Sequence, residues 1–351
     1  MDAQHNRNSS FEIMRLVAMF MIVMEHGLLA TTLNTQPVLS ALDNISWFIE
    51  AFTICAVDLF FLLSGYFSSS KNNLYKCFSF WKQTFFYSSV IYLIFALWNK
   101  SFSVGAAIKF LFPITFQEYW FMQVYILLVL LIPFISDSLD RLMTKQHRIL
   151  CIILVLFFCV HQTFIPARYT LDETQGYGII WGICLVVIGN YLRKIQKQIL
   201  LHSKWIYLFG YVFTAILMFV SNLLIVKFNI ASGLDSRANF YAYNSITVLV
   251  ESLFLFMFFV KLGQRNICNS RINRITSSAL SVYLISAHPL LLRYIWTDIL
   301  KLQNHIPGNA VVFVILCTIY SVAIMCVCIA IDQLAKPIYQ ALFGRKFCKS
   351  N

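Results

Sequence analysis

The first long apolar run, Phe11-Glu-Ile-Met-Arg-Leu-Val-Ala-Met-Phe-Met-Ile-Val-Met-Glu-His26, carries a guanidinium at Arg15 and an imidazole at His26. Eleven helical steps are close to three full turns, so an α-helix puts both on one face, about 16 Å apart along its axis. Ionisable groups are costly in hydrocarbon and mark substrate paths or reacting centres. A cation near the membrane edge suits a phosphate or pyrophosphate. An imidazole deeper in the span suits proton abstraction from a hydroxyl. Plainer readings stand beside these: Arg15 as a snorkelling anchor, His26 as a helix–helix hydrogen bond. Glu25 adds a third ionisable group in need of a partner and joins His26 as a candidate for catalysis.

The second apolar run contains Val57-Asp-Leu-Phe-Phe-Leu-Leu-Ser-Gly-Tyr-Phe67. Asp58 falls near mid-span and is expected either to neutralise Arg15 or to orient His26. Ser64, Gly65 and Tyr66 fall at about the depth of Arg15, where small residues admit a ligand or a neighbouring helix. Lys71, Lys76 and Lys82 follow, as a rim for an anionic ligand or as a solvated loop. Glu118, Tyr119 and Trp120 open the fourth run, as a sugar platform or as interface anchors. Glu251 and His288 sit mid-span, either touching substrate or pairing with each other.

The elements that must position these residues are membrane spans. The 351 residues are 59% hydrophobic and 12% charged, against about 25% charged in soluble domains. Ten runs reach the length needed to cross a bilayer, about 20 residues each: 11–31, 48–67, 83–99, 119–136, 149–165, 176–192, 205–226, 241–260, 278–296 and 309–335. The first lacks a small-residue cleavage site and is expected to be a retained span. Counting cations in alternate loops gives nineteen on the side of Arg7 and seven opposite, with Arg15 inside a span. The bias predicts both termini in the cytoplasm. It also accounts for the net charge of +12, which anionic inner-leaflet lipid attracts. No basic–aromatic module points to nucleic acid. The ten cysteines form no Cys-x-x-Cys pair, so neither a metal site nor a disulfide framework is expected. The amphipathic stretch Lys100–Glu118 is predicted to lie in the interface. The reading is all-α: one membrane domain over 1–351, with spans over 11–336 and a short tail over 337–351.

Arg15-x10-His26, followed by Asp58-x-Phe60-Phe61-x-x-Ser64-Gly65-Tyr66, resembles the integral-membrane acyltransferase-3 family. Glu118-Tyr-Trp-Phe121 with Pro133, and Val282-Tyr-Leu-Ile285 leading to His288-Pro289, extend the likeness over nearly the whole chain. The resemblance implies about ten spans and O-acetylation of bacterial surface polysaccharides or related acceptors. It further implies acetyl-coenzyme A as the acyl donor, with no permanently bound cofactor. His26 matches the family's catalytic base, and Arg15 the arginine linked to acyl-coenzyme A. Two departures stand out: Ser286 where the family often has histidine, and Lys76-Cys-Phe-Ser-Phe-Trp-Lys82 in place of a compact Arg-rich pattern.

The expectation is thus a multi-pass enzyme of the bacterial cytoplasmic membrane. It would move acetyl, or another short acyl group, from acyl-coenzyme A to a hydroxyl of a cell-surface glycan or lipid-linked sugar. The alternative is a glycan flippase or transporter, which would show internal repeats and interrupted helices in matching halves; neither is evident. A glycan polymerase would carry a large Arg-rich outer loop, and the longest outer loops hold two cations each.

Overall fold

In hydrocarbon every backbone N–H and C=O must bond within its own segment, so long apolar runs fold as helices. The computed structural model describes residues 8–71, 74–165, 169, 171–231, 239–305 and 309–342, and among these there is no strand. Arg7, Arg168, Arg237, Arg345, Lys346 and Lys349 of the charge count, and the tail from 343 onward, lie outside the described residues.

The helices are α1 (Ser9–Thr31), α2 (Ala41–Thr53), α3 (Ala56–Tyr66), α4 (Leu74–Trp98), α5 (Val104–Leu111), α6 (Trp120–Asp140), α7 (Thr144–Val155) and α8 (His161–Phe164). They continue as α9 (Ile179–Lys194), α10 (Gln196–Ile199), α11 (Lys204–Ala231), α12 (Ile246–Gly263), α13 (Ser270–Thr276), α14 (Ala279–Ser286), α15 (Leu292–Tyr294) and α16 (Ala310–Leu342). Asn8 caps α1, accepting from the Ser10 N–H at 3.0 Å.

Seven helical stretches among the described residues are long and apolar enough to cross a membrane: α1, α2 with α3, α6, α7 through α8, α11, α12 and α16. The chain is therefore a multi-pass, all-helical membrane protein. Three of the ten expected spans fall short of that standard, each for a local reason. The third lies in α4, which is 25 residues long but diluted by Lys76, Lys82, Gln83 and several hydroxyls. The sixth is α9, only 16 residues. The ninth is broken into α14 and α15. Pro289 lacks an N–H and disfavours helix at His288, so the chain turns there instead of continuing.

One end of the bundle gathers the cations. Asn8 donates to the Gly263 carbonyl at 2.7 Å, joining the start of α1 to the end of α12. Arg193, at the end of α9, binds the Ser68 carbonyl at 2.6 Å and Asp140 at 2.7 Å. Lys194 caps the Leu139 and Leu142 carbonyls at the end of α6. Lys336 on α16 reaches Ser277 at 2.9 Å. The starts of α1 and α4 and the ends of α3, α6, α9 and α12 therefore share one basic end.

Buried α1 runs through the middle of the bundle, touching α2, α3, α12, α13, α14 and α16. Behind α3, on the side away from α1, α3 crosses α9. There, an added β-carbon on Gly65 would stand 2.2 Å from the Val186 carbonyl oxygen, and one on Gly189 would stand 2.2 Å from that of Leu62. Backbone cannot yield as a side-chain tip does. Gly65→Ala is expected to push α3 away from α9 and lower stability by about 1–3 kcal/mol. A melting point in detergent equal to that of the unchanged protein would refute this.

Candidate active site

Residues 8, 12, 15, 19, 22 and 26 of α1 repeat every three to four positions and so share one face. That face forms a wall of a cavity of about 790 Å³. From Asn8 to His26 the helix rises about 27 Å, close to the hydrocarbon thickness of a bilayer. Arg15 and His26 thus open into the same space, as the spacing of the sequence anticipated. Opposing walls come from Phe60 and Ser64 on α3, Lys76 and Gln83 on α4, Trp120 and Tyr125 on α6, and Tyr283 on α14.

The mouth lies at the basic end, where exposed Ser69, Tyr75 and Lys76 meet the half-buried Asn8. Arg15 is ion-paired with Glu12, one turn earlier. The Arg15 side chain remains 31% exposed whereas that of Glu12 is 3% exposed. The guanidinium is therefore held by one carboxylate and keeps donors facing the cavity. The Ser64 hydroxyl donates to the Phe60 carbonyl at 2.8 Å and lies within hydrogen-bond distance, 3.2 Å, of the Tyr125 hydroxyl.

At the inner end, His26 is half-buried, and its Nδ1 has no hydrogen-bond partner among the described residues. Among the described residues no hydrogen bond to another helix holds this ring, and it lines the cavity. Next to it, Glu25 accepts from the Tyr243 hydroxyl at 3.1 Å. An unengaged imidazole at the inner end of a passage can take a proton from a hydroxyl brought to it.

Other sequence candidates lie elsewhere. Asp58 neither neutralises Arg15 nor touches His26. It is fully buried, accepting from the Trp181 indole at 3.1 Å and the Ser252 hydroxyl at 3.3 Å. Gly65 faces α9 and Tyr66 packs on Phe11 and Phe256, so of Ser64, Gly65 and Tyr66 the serine alone lines the cavity. The Lys82 amine sits 4.2 Å from the Phe78 ring centre, outside the cavity wall that Lys76 joins. Glu118 stays outside it, and buried Tyr119 donates to the Leu284 carbonyl at 2.7 Å, leaving Trp120 as the lining member of that trio.

His288 and Glu251 do not pair. His288 stacks on Phe110 at 4.9 Å, approaches the Ser88 carbonyl at 3.4 Å and accepts from the Leu290 N–H at 3.1 Å. Glu251 is fully buried on α12 beside Cys55. The turn at Pro289 is what carries His288 toward α4 and away from α12.

The sequence reading missed Glu12, Tyr125, Tyr243 and Tyr283. Glu12 had a readable signal, since a carboxylate three residues before an arginine on a helix forms a pair. The tyrosines had none. They are ordinary aromatic residues until the bundle closes around α1.

An all-helical, multi-pass membrane protein with a deep cavity linking a basic mouth to a half-buried imidazole is built to act on a ligand inside the bundle. Residues 8–331 match the family of acyltransferase domains of the acyltransferase-3 type. The chain belongs to that family and is an acyltransferase. No curated protein and no solved structure matches it.

Proposed function

We propose that this protein moves an acetyl or other short acyl group from acyl-coenzyme A to a hydroxyl of a cell-surface polysaccharide or lipid-linked glycan. It does so in the bacterial cytoplasmic membrane, with the basic end in the cytoplasm. The observation that carries the reading is the single cavity shared by Arg15 at its mouth and His26 at its inner end. The donor's phosphates meet Arg15 and Lys76, where charge-assisted hydrogen bonds are strongest. Its pantetheine arm, long and narrow, runs inward along α1 and delivers the thioester to His26. His26 takes the acceptor's hydroxyl proton as the oxygen attacks the thioester carbon. The turn at His288–Pro289 is an interrupted helix of the kind transporters use. It stands outside the cavity wall, however, and supports no path across the bundle.

The reading is tested by supplying membranes that contain the full chain with [14C]acetyl-coenzyme A. Free coenzyme A and label in carbohydrate are expected together. Label that crosses the membrane without release of coenzyme A would favour transport.

A further inference from the structure

Two aromatic rings stand at the inner end of the cavity, and a third backs them. Trp120 opens α6, Tyr177 lies just before α9, and Tyr243 lies just before α12. Their ring centres are 4.5 Å apart for Trp120 and Tyr177, 5.7 Å for Trp120 and Tyr243, and 4.9 Å for Tyr177 and Tyr243. Trp120 and Tyr243 line the cavity. Tyr177 covers them from the far side and is 46% exposed. Because α9 ends among the cations, its start places Tyr177 at the opposite end of the bundle. The triangle therefore stands between the reacting end of the cavity and the face away from the basic mouth.

The triangle is held firmly. Gly176 has φ +89°, and a β-carbon on it would lie 2.7 Å from both the Asn244 nitrogen and the Tyr243 β-carbon. Only glycine lets the turn carrying Tyr177 sit on the backbone carrying Tyr243. The Tyr243 hydroxyl in turn fixes one oxygen of Glu25, the residue beside His26.

Aromatic faces are electron-rich and attract polarised hydrogens laid against them. The flat face of a sugar ring presents such C–H groups. A carboxyl oxygen accepts hydrogen bonds in either protonation state, so it can hold a hydroxyl donor. We propose that Trp120, Tyr243 and Glu25, with Tyr177 backing the two rings, form the acceptor subsite for a sugar ring bearing two adjacent hydroxyls, one reacting at His26 and its neighbour donating to Glu25. This rests on the acyl-transfer reading above. The reacting O–H gives its proton to His26, and the oxygen bonds to the acyl carbon. The thioester C–S bond then breaks, and the proton passes to the coenzyme A sulfur. Donor and acceptor thus approach from opposite ends of the bundle.

Trp120→Ala, Trp120→Phe and Trp120→Leu test this in host membranes given [14C]acetyl-coenzyme A, with melting points recorded for each purified chain. Trp120→Ala is expected to raise the acceptor concentration needed for half-maximal labelling of carbohydrate about tenfold, the scale of one lost stacking contact. The donor KM stays unchanged. Trp120→Phe restores labelling and Trp120→Leu, equally apolar but without a ring face, does not. Unchanged labelling in Trp120→Ala, or rescue by leucine as complete as by phenylalanine, overturns the subsite. Label found only in a product without sugar overturns it while sparing acyl transfer. Absence of His26-dependent coenzyme A release overturns the acyl-transfer reading itself.

Discussion

His26→Ala is expected to cut the rate of acyl transfer by about 10²–10⁴, the usual worth of a positioned general base. The structure makes this variant a clean one. His26 is half-buried, lines the cavity and leaves Nδ1 without a partner among the described residues, so removing the ring breaks no hydrogen bond there. Truncation enlarges a space that already exists. The melting point should therefore hold while turnover collapses, and binding of coenzyme A at the distant mouth should persist. Free imidazole, small beside a cavity of about 790 Å³, should recover part of the rate. A purified His26→Ala chain that transfers acetyl within threefold of the unchanged protein would remove this residue from the chemistry.

Arg15→Ala should act on the donor and not on the chemical step. A hydrogen bond to a charged group is worth about 1.5–3 kcal/mol, so losing the guanidinium should raise the KM for acetyl-coenzyme A about ten- to a hundredfold. Arg15 lies about 16 Å below His26 along α1, too far to alter proton transfer directly. Glu12 complicates the reading, because its side chain is 3% exposed and would be left without its partner. An uncompensated buried acceptor costs about 1–3 kcal/mol in stability. Replacing both residues, Arg15→Ala with Glu12→Gln, should restore the melting point and leave the raised KM in place. A double variant with normal KM would assign Arg15 to holding Glu12 and nothing more.

Much of this architecture is written locally. An apolar run with no room for unpaired backbone must be helical, and the alternation of cations groups the loops before any contact is known. The alignment of Arg15 with His26 follows from the 3.6-residue turn alone. The ends of the spans are less legible. α9 is short because the turn before it, at Gly176, packs against Tyr243 and Asn244, and the ninth span is broken because Pro289 removes a donor. Pro289 was visible, but a proline within an apolar run can either kink a helix or stop it. The distance between those outcomes is set by what packs on the turn, here Phe110 against His288.

Side-chain partners across the bundle belong to a different order of information. Asp58 occurs in the same short motif as Ser64, yet the two face different surroundings. Asp58 meets Trp181 and Ser252, and Ser64 meets the cavity. Their six-residue separation is 600° of helical rotation, which turns them well apart around α3. Helical periodicity along one strand of chain placed a base and a cation on one face of α1. Which helices stand opposite that face, and hence that Trp120, Tyr243 and Glu25 meet beside His26, depends on contacts between residues more than a hundred positions apart. No local period encodes such contacts; close packing of the whole bundle selects them.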